Sequence, residues 1–329
     1  MRRRRVGAHD GRMFTEPRPA PAALLSHPSP AAVVEVGGLV KRYGDIPVVN
    51  DVSFQVREGE IFGLLGANGA GKTTTVECLQ GLRRPDAGHL RVLGLDPVHD
   101  RSRLRQVIGS QLQDAALPDR LRVGEAVRLF DRSSRGDAVT HLEAWGLGDR
   151  RTTAFADLSG GQRQRLFIVL ALLNEPRVVF LDELTQGLDP AARRDVWRVI
   201  RRIRDGGTTV VLVSHFADEI EALCDRVAVM GTGRIVDTGT PRQLTDRHAR
   251  TATITFTPPP SFEPDTLRRL GDVSQVERHG EHFVVRGSST MIAPVCARLL
   301  DDAGHGPPDL RVQHPSLDDA LIGLIGVAP

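Results

Sequence analysis

From Val33 onward, short apolar runs alternate with stretches of helical period. "EIFGLLG" is followed by a helical stretch from Gly71, "RVVFLDE" by one from Pro190, and "TTVVLVSH" by one from Ala217. Apolar runs of this length, bounded by glycines and acids and separated by helices, predict an α/β fold with a mainly parallel sheet covered by helices. Between about residues 97 and 157 the strand signal lapses. There "VGEAVRLFDR" and "DAVTHLEAWGL" carry helical period and predict a helical insert within a larger domain over 31–240. After Gly239 the pattern shifts again. "TPRQLTDRHAR" reads as a connector, and "TATITF", "VSQVER", "HFVVR" and "LRVQ" read as strands. Helices near 264–271, 289–303 and 316–325 are interleaved with them, giving a small C-terminal α+β domain over 241–329. Residues 1–30, rich in proline and alanine, read as a disordered tail that cannot bury enough surface to order itself. Its four leading arginines leave contact with anionic lipid open, and Met13 is an alternative start.

Composition narrows the functional classes. The 329 residues are 40% hydrophobic, enough for a sizeable core. Basic and acidic residues number 43 and 41 and are interspersed, with a net charge of +2, which argues against a nucleic-acid partner. Cys78, Cys224 and Cys296 have no metal-ligand or redox spacing, as suits a reducing cytoplasm. The apolar run "LFIVLALL" is eight residues long, well short of the roughly 18 to 20 that a spanning helix needs. No apolar segment follows the basic start, so it does not read as a secretory signal. The expectation is a soluble protein that reaches a membrane only through a partner.

Three patterns carry chemistry. "GANGAGKTT", Gly66 to Thr74, fits G-x-x-x-x-G-K-[ST] and lies between an apolar strand and a helix. Glycines at Gly66, Gly69 and Gly71 let the backbone close around an anion, and a helix N-terminus adds partial positive charge. Lys72 can reach β- and γ-phosphates, and the Thr73 hydroxyl can ligate Mg²⁺. Only Lys41 and Lys72 are lysines in this arginine-rich chain, which makes Lys72 informative. The second pattern is Asp182 and Glu183, closing an apolar strand where ligands bind in open α/β sheets. Charges there must be paired or metal-bound, so Asp182 is expected to hold Mg²⁺ and Glu183 to act as general base. His215, ending the next strand, is a candidate for contact with the γ-phosphate or the attacking water. His279 and His282, in "HGEH", read as surface residues of a hairpin. The third pattern is "LSGGQ", a second glycine pair at a helix start.

Together these residues resemble the ATP-binding subunits of ABC transporters, over roughly 33–240. "GANGAGKTT", including Asn68 and Thr74, looks like the Walker A loop, "RVVFLDE" like Walker B and "LSGGQ" like the family signature. "GLDP" with Asp189 looks like the D-loop, and His215 like the switch histidine. Tyr43, the only tyrosine, stands where the family has an adenine-stacking aromatic. Gln113 is the candidate for the glutamine that contacts Mg²⁺ and faces the membrane partner, with Gln111 as the alternative. Leu184 stands where the family usually has proline, from which a looser loop after Glu183 and a modest effect on rate are expected. The resemblance implies a dimer, a homodimer if the partner is identical. In it Ser159, Gly160, Gly161 and Gln162 would grip ATP bound to the partner's Walker A loop. "PSLDDALIGLIG" is similar to the ending of ATPase subunits that serve separate permeases, with daunorubicin-resistance-type exporters nearest; the helix could equally pack on its own small domain. The function implied is ATP hydrolysis driving export of a drug, antibiotic or lipid-like molecule from the cytoplasmic face of the membrane. An ABC ATPase using ATP-dependent dimerisation for regulation or scaffolding is the alternative. A ribosome-associated ATPase is disfavoured by the single pair of loops.

Overall fold

In β3 (Ile61–Leu65), Ile61 and Leu65 face one core while Phe62 and Leu64 face another. The interiors of β6 (Val178–Asp182) and β7 (Thr209–Ser214) divide in the same way. Strands buried on both faces must be apolar throughout, which explains the unbroken runs. The computed structural model describes residues 31–111, 116–131, 142–249, 251–258, 262–303 and 307–326; the expected tail over 1–30 and Gln113 lie outside them. With β5 (Ile108–Gln111), β8 (Arg226–Gly231) and β9 (Arg234–Gly239), these strands form a six-stranded sheet in the order β5-β6-β7-β3-β8-β9. All its pairings are parallel except the β8–β9 hairpin.

One face of the sheet packs on α5 (Pro190–Asp205), α6 (Ala217–Leu223) and α7 (Pro241–His248). The other packs on α1 (Lys72–Leu79), on Leu104 of α2 (Arg101–Val107), and on a three-stranded antiparallel sheet. That sheet comprises β1 (Ala32–Tyr43), β2 (Ile46–Arg57) and β4 (Ala87–Val92), in the order β2-β1-β4. Its strands are not among the continuous apolar runs, because they alternate. In β2, Val52, Phe54 and Val56 are buried while Ser53 and Gln55 are exposed.

Among the described residues, the stretch 97–157, expected to be a helical insert, contains α2 and a further helix, α3 (Val123–Phe130), but also β5, a four-residue edge strand ending in Ser110 and Gln111 and too polar to show as an apolar run. Its own core joins α3 to α4 (Gly160–Leu172) through Val127, Leu147, Phe155, Leu166 and Leu170. The first half of "DAVTHLEAWGL", residues 137–141, lies outside the described residues.

The C-terminal part runs β10 (Thr251–Phe256), α8 (Pro264–Arg268), β11 (Val273–His279), β12 (His282–Ser288), α9 (Ile292–Ala303) and β13 (Arg311–Gln313). Its sheet order, β11-β12-β10-β13, with antiparallel pairing throughout, is the split β-α-β-β-α-β arrangement. One expectation is corrected here, and one alternative is decided. "TPRQLTDRHAR" is a helix rather than a connector: α7 opens on a capping box between Thr240 and Gln243, with Pro241 in its first turn. The last helix, α10 (Leu317–Ile325), does not pack on the small sheet. Leu317, Ala320 and Leu321 are buried in the core that covers the six-stranded sheet, and Leu317 N donates to Glu221 Oε1 at 2.6 Å. Residues 241–329 therefore divide between two cores.

Candidate functional site

Strand register brings three chain ends level. Leu65 of β3 pairs with Ser214 of β7, and Val213 pairs with Asp182 of β6. From Leu65 the chain turns through Gly66 to Gly71 and enters α1 at Lys72. Gly71 sits at φ +96°, and a Cβ there would lie 2.6 Å from the Val48 carbonyl oxygen. A Cβ on Gly66 would lie 2.2 Å from the Met230 carbonyl oxygen, so neither position admits a side chain. The loop borders a cavity of about 200 Å³. Asn68, Gly69 and Gly71 line it from the loop, and Lys72, Thr73 and Thr74 from the first turn of α1. Val48 and Glu183 close it. Lys72 is buried, and its Nζ donates to the carbonyls of Gly66 at 2.8 Å and Ala67 at 3.0 Å. Burial pulls its pKa down, while Glu183 and Asp182 push it up.

Asp182 is 2% exposed. Burial lifts its carboxyl to about 6; hydrogen bonding from Thr73 works against this, and the charge of Glu183 adds to it. Its Oδ1 is buried without a hydrogen-bond partner. An orphaned carboxylate oxygen beside a threonine hydroxyl is a hard-oxygen pair suited to an ion such as Mg²⁺, which takes one or two protein ligands and otherwise water and phosphate. Among the described residues no three His, Cys, Asp or Glu side chains cluster as metal ligands. Glu183 adopts a left-handed backbone, φ +48°, and its N donates to the Val213 carbonyl at 3.0 Å, extending the β6–β7 ladder by one residue. That places its Oε1 3.1 Å from His215 Nδ1. A carboxylate can only accept, so Nδ1 carries the proton of this contact. Leu184 is fully buried in the core, so the following loop is anchored by packing where a proline would fix φ.

The second glycine pair lies elsewhere. Ser159 is the N-cap of α4: its Oγ accepts from Gln162 N at 3.3 Å and its N donates to Gln162 Oε1 at 2.9 Å. Ser159 and Gly160 are exposed, and none of Ser159, Gly160, Gly161 or Gln162 lines the phosphate-loop cavity. Their neighbours are Leu188 and Ala192, on either side of Asp189, which caps α5 through bonds from Ala191 N and Ala192 N. Tyr43 ends β1 opposite Ile46, is 42% exposed, and has Arg83 and Lys41 near its ring, at 5.5 and 5.9 Å. It stays outside the cavity lining, which β2 reaches through Val48. Gln111, the alternative to Gln113, ends β5, and its Oε1 accepts from Asp182 N at 3.1 Å, steadying the carboxylate strand. His279 and His282 are exposed on the β11–β12 hairpin. Val48 was not visible in the sequence as a site residue, because the strand that carries it was not.

Residues 49–186 match the family described as ABC transporter. The chain is 34% identical over 313 residues to the daunorubicin resistance ATP-binding protein DrrA3 of Streptomyces coeruleorubidus, covering 89% of this chain and 96% of that protein. It is 35% identical over 319 residues to the Nod factor export ATP-binding protein I of Rhizobium meliloti, covering 94% and 92%. Among solved structures, an ATP binding subunit of an ABC transporter aligns with a TM-score of 0.60 and 28% identity, over 65% of this chain and 92% of that one.

Proposed function

The chain belongs to the family of ABC transporter ATP-binding subunits, and from that premise we propose how its residues bind and hydrolyse ATP to drive export through a separate permease. The observation that carries this reading is the single cavity lined by both the phosphate loop and Glu183, with His215 bonded to Glu183. Phosphate oxygens take over the contacts that Lys72 makes with the Gly66 and Ala67 carbonyls, and the loop backbone of Asn68 to Thr74 cradles them. Tyr43 stacks on adenine. Thr73 and Asp182, with Gln113, would hold Mg²⁺, which would supply electrostatic stabilisation of the phosphate oxygens. Glu183 takes the proton of the attacking water, while His215 orients Glu183 and faces the γ-phosphate.

Ser159, Gly160 and Gly161 serve ATP on a second copy of the chain. Their exposure at the head of the 13-residue helix α4, away from the chain's own cavity, supports this, as does Asp189 beside them. Phosphate at such a helix end is favoured by free N–H groups and the helix dipole. Among the described residues no helix is long and apolar enough to cross a membrane, and the permease supplies that path. A groove of about 420 Å³ between the sheet edge and the helical insert supports docking there. It is bordered by exposed Leu82, Leu129 and Phe130, and by Gln80, whose side-chain amide is buried without a partner. The subunit would then sit on the cytoplasmic face. A small drug, antibiotic or lipid-like cargo agrees with the relatives' names, daunorubicin resistance and Nod factor export.

Glu183→Gln tests the assignment. The variant should bind ATP with a Kd within about threefold of the parent and release phosphate at least about a hundredfold more slowly. Unchanged phosphate release would remove Glu183 from the role of general base.

A further inference from the structure

Glu219 is wholly buried on α6, the helix that follows His215, and the chemistry above does not use it. Three segments converge on its carboxylate. From α5, the Trp197 indole Nε1 donates to Oε1 at 3.2 Å. The hydroxyls of Ser214, at the end of β7, and Thr185, two residues beyond Glu183, are near enough to act on its charge, but Thr185 Oγ1 and Glu219 Oε2 are both buried without a hydrogen-bond partner, so the indole supplies the one well-formed bond seen to the carboxylate. A second thread runs alongside. Arg193, one turn before Trp197, places its guanidinium 4.6 Å from the Phe216 ring centre and donates to Asp218 Oδ2 at 3.0 Å. The Phe216 ring in turn lies 4.0 Å from that of His215. Burial pushes the Glu219 carboxyl up, while the two hydroxyls and the indole pull it down. A buried carboxylate is costly where an apolar side chain would fill the space, so its presence calls for a role.

We propose that Glu219 is a positioning residue for hydrolysis: with Trp197 and Arg193 it ties α5, the helix capped by Asp189, to the backbone that carries His215 and Glu183. The His215–Glu183 contact then holds its geometry only while α5 is seated. Because Asp189 stands beside the signature segment, the same brace links the interface side of the chain to its hydrolytic pair. This inference rests on the reading of Glu183 and His215 as that pair.

The test is a cycle on the full chain. Steady-state kcat and KM for ATP, and thermal unfolding, are measured for Glu219→Ala, Glu219→Gln and Trp197→Phe. Glu219→Ala and Trp197→Phe are then repeated in a His215→Ala background, where single-turnover assays with excess enzyme read residual rates. Trp197→Phe keeps an aromatic ring in place of the larger indole but removes the N–H, and should lower kcat about tenfold with KM within about twofold. Glu219→Ala should lose at least as much, and Glu219→Gln, which keeps an acceptor oxygen, should recover most of the rate. With His215 already removed, neither change should cost more than about twofold. Equal losses in both backgrounds, or a Glu219→Gln rate as low as that of Glu219→Ala, would overturn the proposal. If Glu219→Ala fails to fold, the Trp197→Phe comparison decides alone. His215→Ala with the parent's rate would instead overturn the assignment of His215, a separate failure.

Discussion

At Asp182 the proposed role in holding Mg²⁺ and the stability of the fold pull apart. With its carboxyl lifted to about 6, the chain keeps an ionised group at neutral pH in surroundings that disfavour the charge. Between its ordinary value of 3.8 and about 6, the native chain holds a proton that the unfolded chain has lost. Stability of the nucleotide-free protein therefore falls as pH rises through that interval and stays lower above it. Asp182→Asn removes the charge and should stabilise the protein at pH 8 by about 1–3 kcal/mol, flatten the slope between pH 4 and 6, and abolish hydrolysis. Chemical denaturation in EDTA across that pH range checks this; a variant less stable than its parent at pH 8 contradicts it. Asp182 and Glu183 were legible in the sequence because an apolar run ending in two carboxylates makes little sense without a ligand. Leu184, read as a missing proline, suggests looseness; that its side chain is buried in the core was not visible in the sequence. Glu219 was not legible at all, since its meaning comes from residues 185, 197 and 214, which meet only in three dimensions.

Among the elements, the parallel strands announced themselves because burial on both faces forces every interior position to be apolar. The antiparallel sheet alternates, and β5 is short and polar, so both fell below that signal. Helix α7 left a readable trace in "TPRQ", a threonine cap with proline in the first turn and glutamine completing the box. For α10 the periodicity shows that one face is buried but cannot say against what, and the partner proves to be the main core. Leu321→Ala should therefore cost about 2–4 kcal/mol and lower the transition of the nucleotide-binding core. Trp145 and Trp197, the chain's two tryptophans, pack on that core and report it by fluorescence. An unshifted tryptophan transition, with loss confined to the C-terminal sheet, would contradict this packing.

At the scale of the whole molecule, the two segments proposed to bind phosphate do not share one cavity within the chain. The loop from Gly66 to Thr74 borders the cavity that Glu183 closes, while Ser159 to Gly161 lie exposed beside Asp189. None of Ser159 to Gln162 lines the cavity beside the loop, whereas two chains related by a two-fold axis could complete two sites at once. On the proposed reading, ATP would favour the closed pair because it would contact both faces, and hydrolysis would remove that bridge. The most direct measurement is the solution mass of Glu183→Gln by light scattering, with and without Mg-ATP. A shift from about 36 kDa, the mass of one chain, to twice that value only when Mg-ATP is present is the predicted result. A mass that stays at one chain while ATP is bound would contradict the claim that Ser159 to Gly161 complete the site of an identical neighbour.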